Sequence, residues 1–304
     1  MVRIIYFIKY IFMLSIKVLS IVFPVFSIIG LGFIFARFKK ISLEPVIEIL
    51  LYLTIPALVI SSLTKKHLVP GELVIVSLAA SGVVLGTGLV SLIYLRIINR
   101  KELKGFYLPT MFMNSGNMAF PIALLAFGEE GLAIAIIYYV AISLLVYSLG
   151  IYIAKGQGGI SEIFKLPLIY ASMAGITINL TDTSLPKSIL STVEILGSAT
   201  IPLMLISLGY RLHSTRLTSL NISIAGALIR IAGGCLIAYL ITTLSGIDGL
   251  NQKIIILSSS MPSAVINFIV SYRYKLHSEL VASIISISTV LSLITTPVIL
   301  AMIL

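Results

Sequence analysis

Glu48–Ser61 reads EILLYLTIPALVIS, and Glu194–Ser207 reads EILGSATIPLMLIS. Eight of these fourteen positions are identical, at a constant offset of 194 − 48 = 146 residues. A second proline pair keeps nearly the same spacing, since 262 − 121 = 141. The chain therefore reads as two copies of one apolar unit, each with a further proline inside a polar patch. Repetition with interrupted apolar segments at matching places is the sequence pattern of a secondary transporter.

The composition agrees. The 304 residues are 59% hydrophobic and 11% charged, with a mean hydropathy of +1.14. No soluble domain of this size keeps that balance, so the lipid bilayer is the solvent. The apolar runs are helix-sized and lack the alternation of a barrel strand. The net charge of +10 resides in short loops between apolar runs. That pattern orients a membrane protein and argues against a nucleic-acid partner. Cys235 lies between Gly234 and Leu236 as inert packing, with no disulfide and no metal cluster, and nothing in the chain asks for a cofactor. The N-terminal RIIYFIKYIFMLSIK has no small-residue cleavage site. Residues 1–17 read as an interfacial helix or an extension of the first span, with Met13 as an alternative start.

Apolar runs of about 17–25 residues give ten spans. The first half, 18–153, holds 18–36, 46–64, 73–95, 106–127 and 131–153. The second, 166–304, holds 166–181, 190–210, 218–241, 251–272 and 280–302, and residues 154–165 join the halves. Five spans is an odd number, so the second copy enters the membrane from the opposite face and the repeats are inverted. Thirteen Lys and Arg fall in the odd-numbered loops, among them Arg37, Arg96, Lys104, Lys155, Arg211 and Arg216. Seven fall on the other side: Arg3, Lys9, Lys17, Lys65, Lys66, Lys187 and Lys253. The positive-inside rule then places the odd loops in the cytoplasm and both termini outside the cell membrane. There is no Trp, so interfacial anchoring falls to tyrosines such as Tyr94, Tyr107, Tyr152, Tyr210 and Tyr274. Gly156, Gly158 and Gly159 make the joint flexible.

The fourth span carries Asn114-Ser115-Gly116-Asn117 ahead of Pro121, and the ninth carries Ser258-Ser259-Ser260-Met261-Pro262-Ser263. Proline lacks an N–H and clashes with the carbonyl four residues back, which frees the carbonyls of Asn117 and Ser258. Asn117, and Ser259 or Ser260, are placed to cap the helices that restart. One proline in a membrane helix is ordinarily a kink; paired polar breaks at equivalent repeat positions read as a site. Unpaired backbone groups at membrane depth survive only inside protein or beside a water-filled cavity. The two breaks should cross near the midplane, each restarting helix aiming its positive end at an anion. Pro56 and Pro202 have apolar surroundings and read as structural kinks. Arg230, the one charge deep in a span, either pairs with a substrate carboxylate or snorkels or bonds to freed carbonyls. Asn267 faces the same cavity or a neighbouring helix. Glu48 and Glu194 sit near helix ends, in a dipole, capping or coupling role. Neither broken span holds Asp or Glu, and His67, His213 and His277 fall in loops, so no midplane proton carrier is visible.

At NSGNMAFPIALLAFGEEGLA and MPSAVINFIVSYRYKLHSELVASIISISTVLSLITTP the chain resembles the auxin efflux carrier family of membrane transporters. The shared features are an Asn-x-Gly-Asn-x-x-x-Pro patch in the fourth span, and Met-Pro followed by Ser288, Thr289 and Ser292 in the ninth and tenth. IPALVISSL and IPLMLISLG resemble the family's second and seventh spans. The likeness implies ten helices in two inverted repeats. Helices one, two, six and seven would form a scaffold that forms a homodimer, and the other six a mobile transport domain. It places a substrate site at Asn114, Asn117 and Pro121 from one repeat and at Pro262 with Ser260 and Ser263 from the other. It implies an organic-anion substrate, an auxin or a small dicarboxylate. Arg230 maps onto no family motif. The resulting expectation is a carrier of small organic anions working by alternating access, as a potential-driven uniporter. The rivals are a sodium- or proton-coupled symporter and, on other grounds, a membrane sensor. An enzyme is not expected, for there is no His-Glu-x-x-His, no Gly-x-Gly-Asp and no Ser–His pair within the spans.

Overall fold

A computed structural model of the chain describes residues 2–65, 69–157, 160–213 and 217–304. Lys66, His67, Gly158, Gly159 and Arg216, used above for topology and the joint, lie outside the described residues. Among the described residues the fold is all helix, with one isolated antiparallel bridge between Met113 and Ser263. Seven helical stretches are long and apolar enough to cross a membrane, and Pro167–Leu180 is a shorter apolar helix.

Helix α1 runs unbroken over Val2–Phe38, of which Phe12–Phe38 is the candidate span. The second stretch is α2 (Glu44–Ile49), a π-helical turn at Leu50–Thr54, and α3 (Ile55–Lys65). After α4 (Pro70–Ile97) come the short α5 (Tyr107–Met111) and α6 (Ala119–Leu145). Gly128, at φ 68° and ψ −163°, divides α6 between the two spans read there from sequence. Only a residue without a Cβ takes that backbone freely. A π-helical turn leads into α7 (Ile151–Lys155), and α8 (Ile160–Ile163) lies within the joint. The second half runs α9 (Pro167–Leu180), α10 (Lys187–Ser198), α11 (Thr200–His213), α12 (Leu220–Leu228) and α13 (Gly234–Leu244), then α14 (Gly249–Ser259), α15 (Ile266–Arg273) and α16 (Ser278–Ile303).

Both copies of Thr-Ile-Pro fall where a helix is interrupted: α3 starts at Ile55 after the π-turn, and α11 starts at Thr200 after Ala199. The missing proline N–H explains both interruptions. Around Pro56 and Pro202 the helical stretches continue, through a π-helical turn in the first and the single residue Ala199 in the second.

The exterior of the molecule is as apolar as its core. Leu78, Leu85, Leu89, Ile93 and Ile97 of α4 face outward, whereas Thr87 and Ser91 of the same helix are fully buried. Apolar side chains outside and hydroxyls between helices are what lipid demands. Two groups of helices pack most extensively: α1 along α11 with α3 against α9 and α10, and α4–α6 with α12–α16. In the first group Gly209 of α11 lies against the Ile29 backbone and Gly32 of α1 against the Ile206 backbone, so a methyl at either would collide with a carbonyl. Small residues that let backbones touch replace the hydrophobic drive that lipid removes. Tyr210, expected as an interfacial anchor, accepts the Ile41 N–H at 2.7 Å and ties α11 to the segment after α1.

Candidate functional site

The two polar patches break their helices, and the breaks meet. Between α5 and α6 the chain is extended through Phe112–Met113; between α14 and α15 it is extended around Ser263. Asn114 N–H donates to the Pro262 carbonyl at 2.7 Å, and Ala264 N–H donates to the Phe112 carbonyl at 3.1 Å. Backbone groups in the extended segment of each break are thus satisfied by the other break, as burial requires. Ser288 of α16 accepts the Ser263 N–H at 3.1 Å, and Asn267 donates to the Phe112 carbonyl at 2.8 Å and to the Ser263 hydroxyl at 3.0 Å.

The local capping differs from the expectation. Asn114, not Asn117, supplies the side-chain oxygen: its Oδ1 accepts the Asn117 N–H at 3.2 Å, while α6 starts behind Met118 without a side-chain cap. An Asx side chain bonding three residues ahead turns the backbone at Gly116. Ser258 does not keep a free carbonyl, because Met261 N–H reaches it at 3.3 Å. Neither Ser259 nor Ser260 caps α15. The Ser260 hydroxyl donates back to the Ile256 carbonyl at 2.5 Å, and the Ser259 hydroxyl pairs with the Tyr138 hydroxyl at 2.7 Å.

Arg230 sits on the π-helical turn Ile229–Gly233 and is wholly buried. Its guanidinium donates to the carbonyls of Thr110 and Met111, which end α5, and of Ser259, which ends α14, each at 2.8 Å. The last carbonyls of a helix carry partial negative charge and lack intrahelical partners. One planar cation with donors on two edges satisfies both helix ends at once. Gly234 makes room, since a methyl there would collide with the guanidinium and the Ser259 carbonyl. Of the two readings of Arg230, the geometry matches the bond to freed carbonyls.

A cavity of about 180 Å³ opens beside the first break. Asn114, Ser115, Gly116 and Asn117 line one wall, with Ala264, Val265 and Ile266 of the second break beside them. Tyr139, Ser143 and Tyr147 of the span after Gly128 line another. Met204, Ser207, Leu208 and Arg211, one stripe of α11, line a third, facing Ile47 and Leu51. Of the sequence-proposed site residues, Asn114 and Asn117 line this cavity. Pro121, Ser260, Pro262, Ser263, Asn267 and Arg230 are not among its lining residues; they build the crossing behind it. Tyr139, Ser143, Ser207 and Arg211 were missed. The i, i+3, i+4 spacing of Met204, Ser207, Leu208 and Arg211 was the available signal. Among the described residues no three His, Cys, Asp or Glu side chains gather as metal ligands.

A helical protein with an apolar exterior, hydroxyls and amides buried between its helices, and a cavity where two interrupted helices cross defines a multi-pass membrane transport protein. Residues 159–300 match the family model described as membrane transport protein. An uncharacterized transporter of Methanothermobacter thermautotrophicus is 31% identical over 264 residues, 82% of this chain and 85% of that protein. Another, of Methanocaldococcus jannaschii, is 32% identical over 204 residues, 64% of this chain and 66% of that protein. The chain belongs to this membrane transport family, that of the auxin efflux carriers.

Proposed function

We propose that the protein carries a small organic anion across the cell membrane by alternating access between two inverted five-span repeats. The observation that carries this reading is a pair of unused donors. The Asn114 side-chain nitrogen and the Ser115 hydroxyl belong to cavity-lining residues, are shut from bulk water and have no partner among the described residues. A buried polar group costs about 1–3 kcal/mol when unpaired, so such donors await an acceptor. A carboxylate supplies acceptors only, and the start of α6 beside it favours negative charge.

In this reading α1–α3 with α9–α11 form the scaffold, which carries the dimer contact, and the other helices form the moving domain. The ten spans are the seven long helical stretches with α6 divided at Gly128, the short α9, and the α14–α15 pair. The cavity mouth lies where α9 begins and α11 ends, at the Lys- and Arg-rich face, which by the positive-inside rule is cytoplasmic. A sodium ion at Ser258–Ser260 is disfavoured because Arg230 already brings positive charge to the Ser259 carbonyl. We therefore favour a uniporter driven by potential, which gives an anion about 2.3 kcal/mol per 100 mV on leaving a negative interior.

The test is uptake of labelled malonate, malate and indole-3-acetate into proteoliposomes, with a potential, a sodium gradient or a pH gradient imposed singly. Saturable flux of one anion under potential alone is expected, and Asn117→Ala should abolish it without lowering yield or melting temperature. Flux that needs sodium or protons replaces the uniporter with a symporter. Unchanged flux in Asn117→Ala removes the cavity from the path.

A further inference from the structure

We infer that Lys65 is the opposite-face equivalent of Arg211: the cation that contacts the substrate carboxylate in the alternate cavity, and that two glutamates occupy while that cavity is closed. This rests on the inverted-repeat reading above. The stripe of α11 that lines the open cavity is Met204, Ser207, Leu208 and Arg211. Subtracting the repeat offset of 146 gives Leu58, Ser61, Ser62 and Lys65, on α3. Ser61 and Ser207 are identical residues, and Lys65 and Arg211 are both cations at the last turn of their helices.

Inverted copies put equivalent residues at opposite faces, and the structure places Lys65 accordingly. Lys65 Nζ lies 3.2 Å from Glu194 and 4.0 Å from Glu129. Glu129 directly follows Gly128, whereas Tyr147, on the same helical stretch, lines the open cavity. Eighteen residues separate them, roughly 27 Å of helix, about the thickness of the hydrocarbon core. Lys65 is therefore at the far end of the molecule from the cavity mouth.

The surroundings of Lys65 are those of a closed cavity. Ser61 and Ser62 are buried, and Gly197 of α10 packs against Leu58 and the Ser61 hydroxyl. Both groups that hold Lys65 are carboxylates, the chemistry of the proposed substrate. Glu194 belongs to the scaffold group and Glu129 to the other group, so the lysine spans the boundary that alternating access must open. The three side chains are 38–55% exposed, and exposed ion pairs are weak, so the contact can break in each cycle. By the same offset Glu194 corresponds to Glu48.

The test uses single-cysteine reporters, Ser61→Cys and Ser207→Cys, in a Cys235→Ala background reconstituted in liposomes. A membrane-impermeant maleimide, applied to each face in turn, should label the two reporters from opposite faces. Adding Glu129→Gln with Glu194→Gln should raise Ser61→Cys labelling about fivefold, as loss of a weak ion pair shifts a two-state balance, and should lower Ser207→Cys labelling. Lys65→Met should act in the same direction, and Lys65→Arg should keep the parent pattern. Labelling of both reporters from one face, or rates unmoved by the double substitution, overturns the inference. So does a Lys65→Arg shift as large as that of Lys65→Met. The readout needs no substrate: shifted labelling without carboxylate flux discards the anion and keeps the mouth pair, and flux with unmoved labelling does the reverse.

Discussion

The break before α6 and the break before α15 occupy equivalent places in the two repeats and are used differently. The first presents Asn114, Ser115 and Asn117 to the cavity. Among the described residues each break keeps two unpartnered buried polar atoms, on Asn114 and Ser115 at the first and on Ser258 and Asn267 at the second, but only the first pair belongs to cavity-lining residues. The second turns its polar groups inward: Ser259 to Tyr138, Ser260 to its own helix, and Ser263 to Asn267 and Ser288. In the proposed reading one break binds and the other braces. The two interruptions fall at similar places in the repeated sequence, and the side chains around each gap decide whether it lines the cavity.

The sharpest way to break that distinction is Arg230→Met. The substitution fills similar volume but leaves the carbonyls of Thr110, Met111 and Ser259 without their guanidinium partners. At about 1–3 kcal/mol for each buried group left unpaired, the loss should exceed about 3 kcal/mol and appear as a large fall in the detergent melting temperature. A variant that melts like the parent and loses only transport would move Arg230 from brace to binding site.

Asn114→Ala and Asn267→Ala sharpen the comparison at equal chemistry. Asn267 makes two buried bonds at the crossing, so its loss should cost about 2 kcal/mol in melting experiments. Asn114 gives its oxygen to a turn and lines the cavity, so in the proposed reading its loss should lower flux more than tenfold at a stability cost of about 1 kcal/mol. If the two variants lose flux and stability in the same proportion, the binding and bracing breaks are not distinct.

How much of this was legible depends on the range of the interaction. The interruptions were, because Pro and Gly act on their own helix: Thr-Ile-Pro at 54–56 and 200–202, and the patches ahead of Pro121 and within Ser258–Ser263, all sit at or beside breaks. The partners were not. Arg230 was identifiable as a buried charge, but which carbonyls it meets depends on α5 and α14, 119–120 and 29 residues away. Arg211 read as a loop charge that orients the chain, and only the packing of α11 brings it to the cavity wall. Asn117 and Asn114 exchanged the capping role because an Asx turn and a helix cap draw on the same residue types.

The smallest effect tests whether the brace is graded. Tyr138, fully buried, reaches the Ser259 hydroxyl at 2.7 Å, and the carbonyl of that serine holds Arg230. Tyr138→Phe removes one neutral hydrogen bond and keeps the ring, which places the cost near 1 kcal/mol. The freed serine hydroxyl can turn to its own helix, as that of Ser260 already does toward Ile256, and this keeps the penalty low. A double-mutant cycle of Tyr138→Phe with Ser259→Ala should return a coupling of about 1 kcal/mol. Coupling near zero would mean that the tyrosine contributes packing alone. A cost for Tyr138→Phe equal to that of Arg230→Met would mean that the hydroxyl pair, and not the guanidinium, holds the end of α14 in place, and the division of labour between the two breaks would have to be redrawn around it.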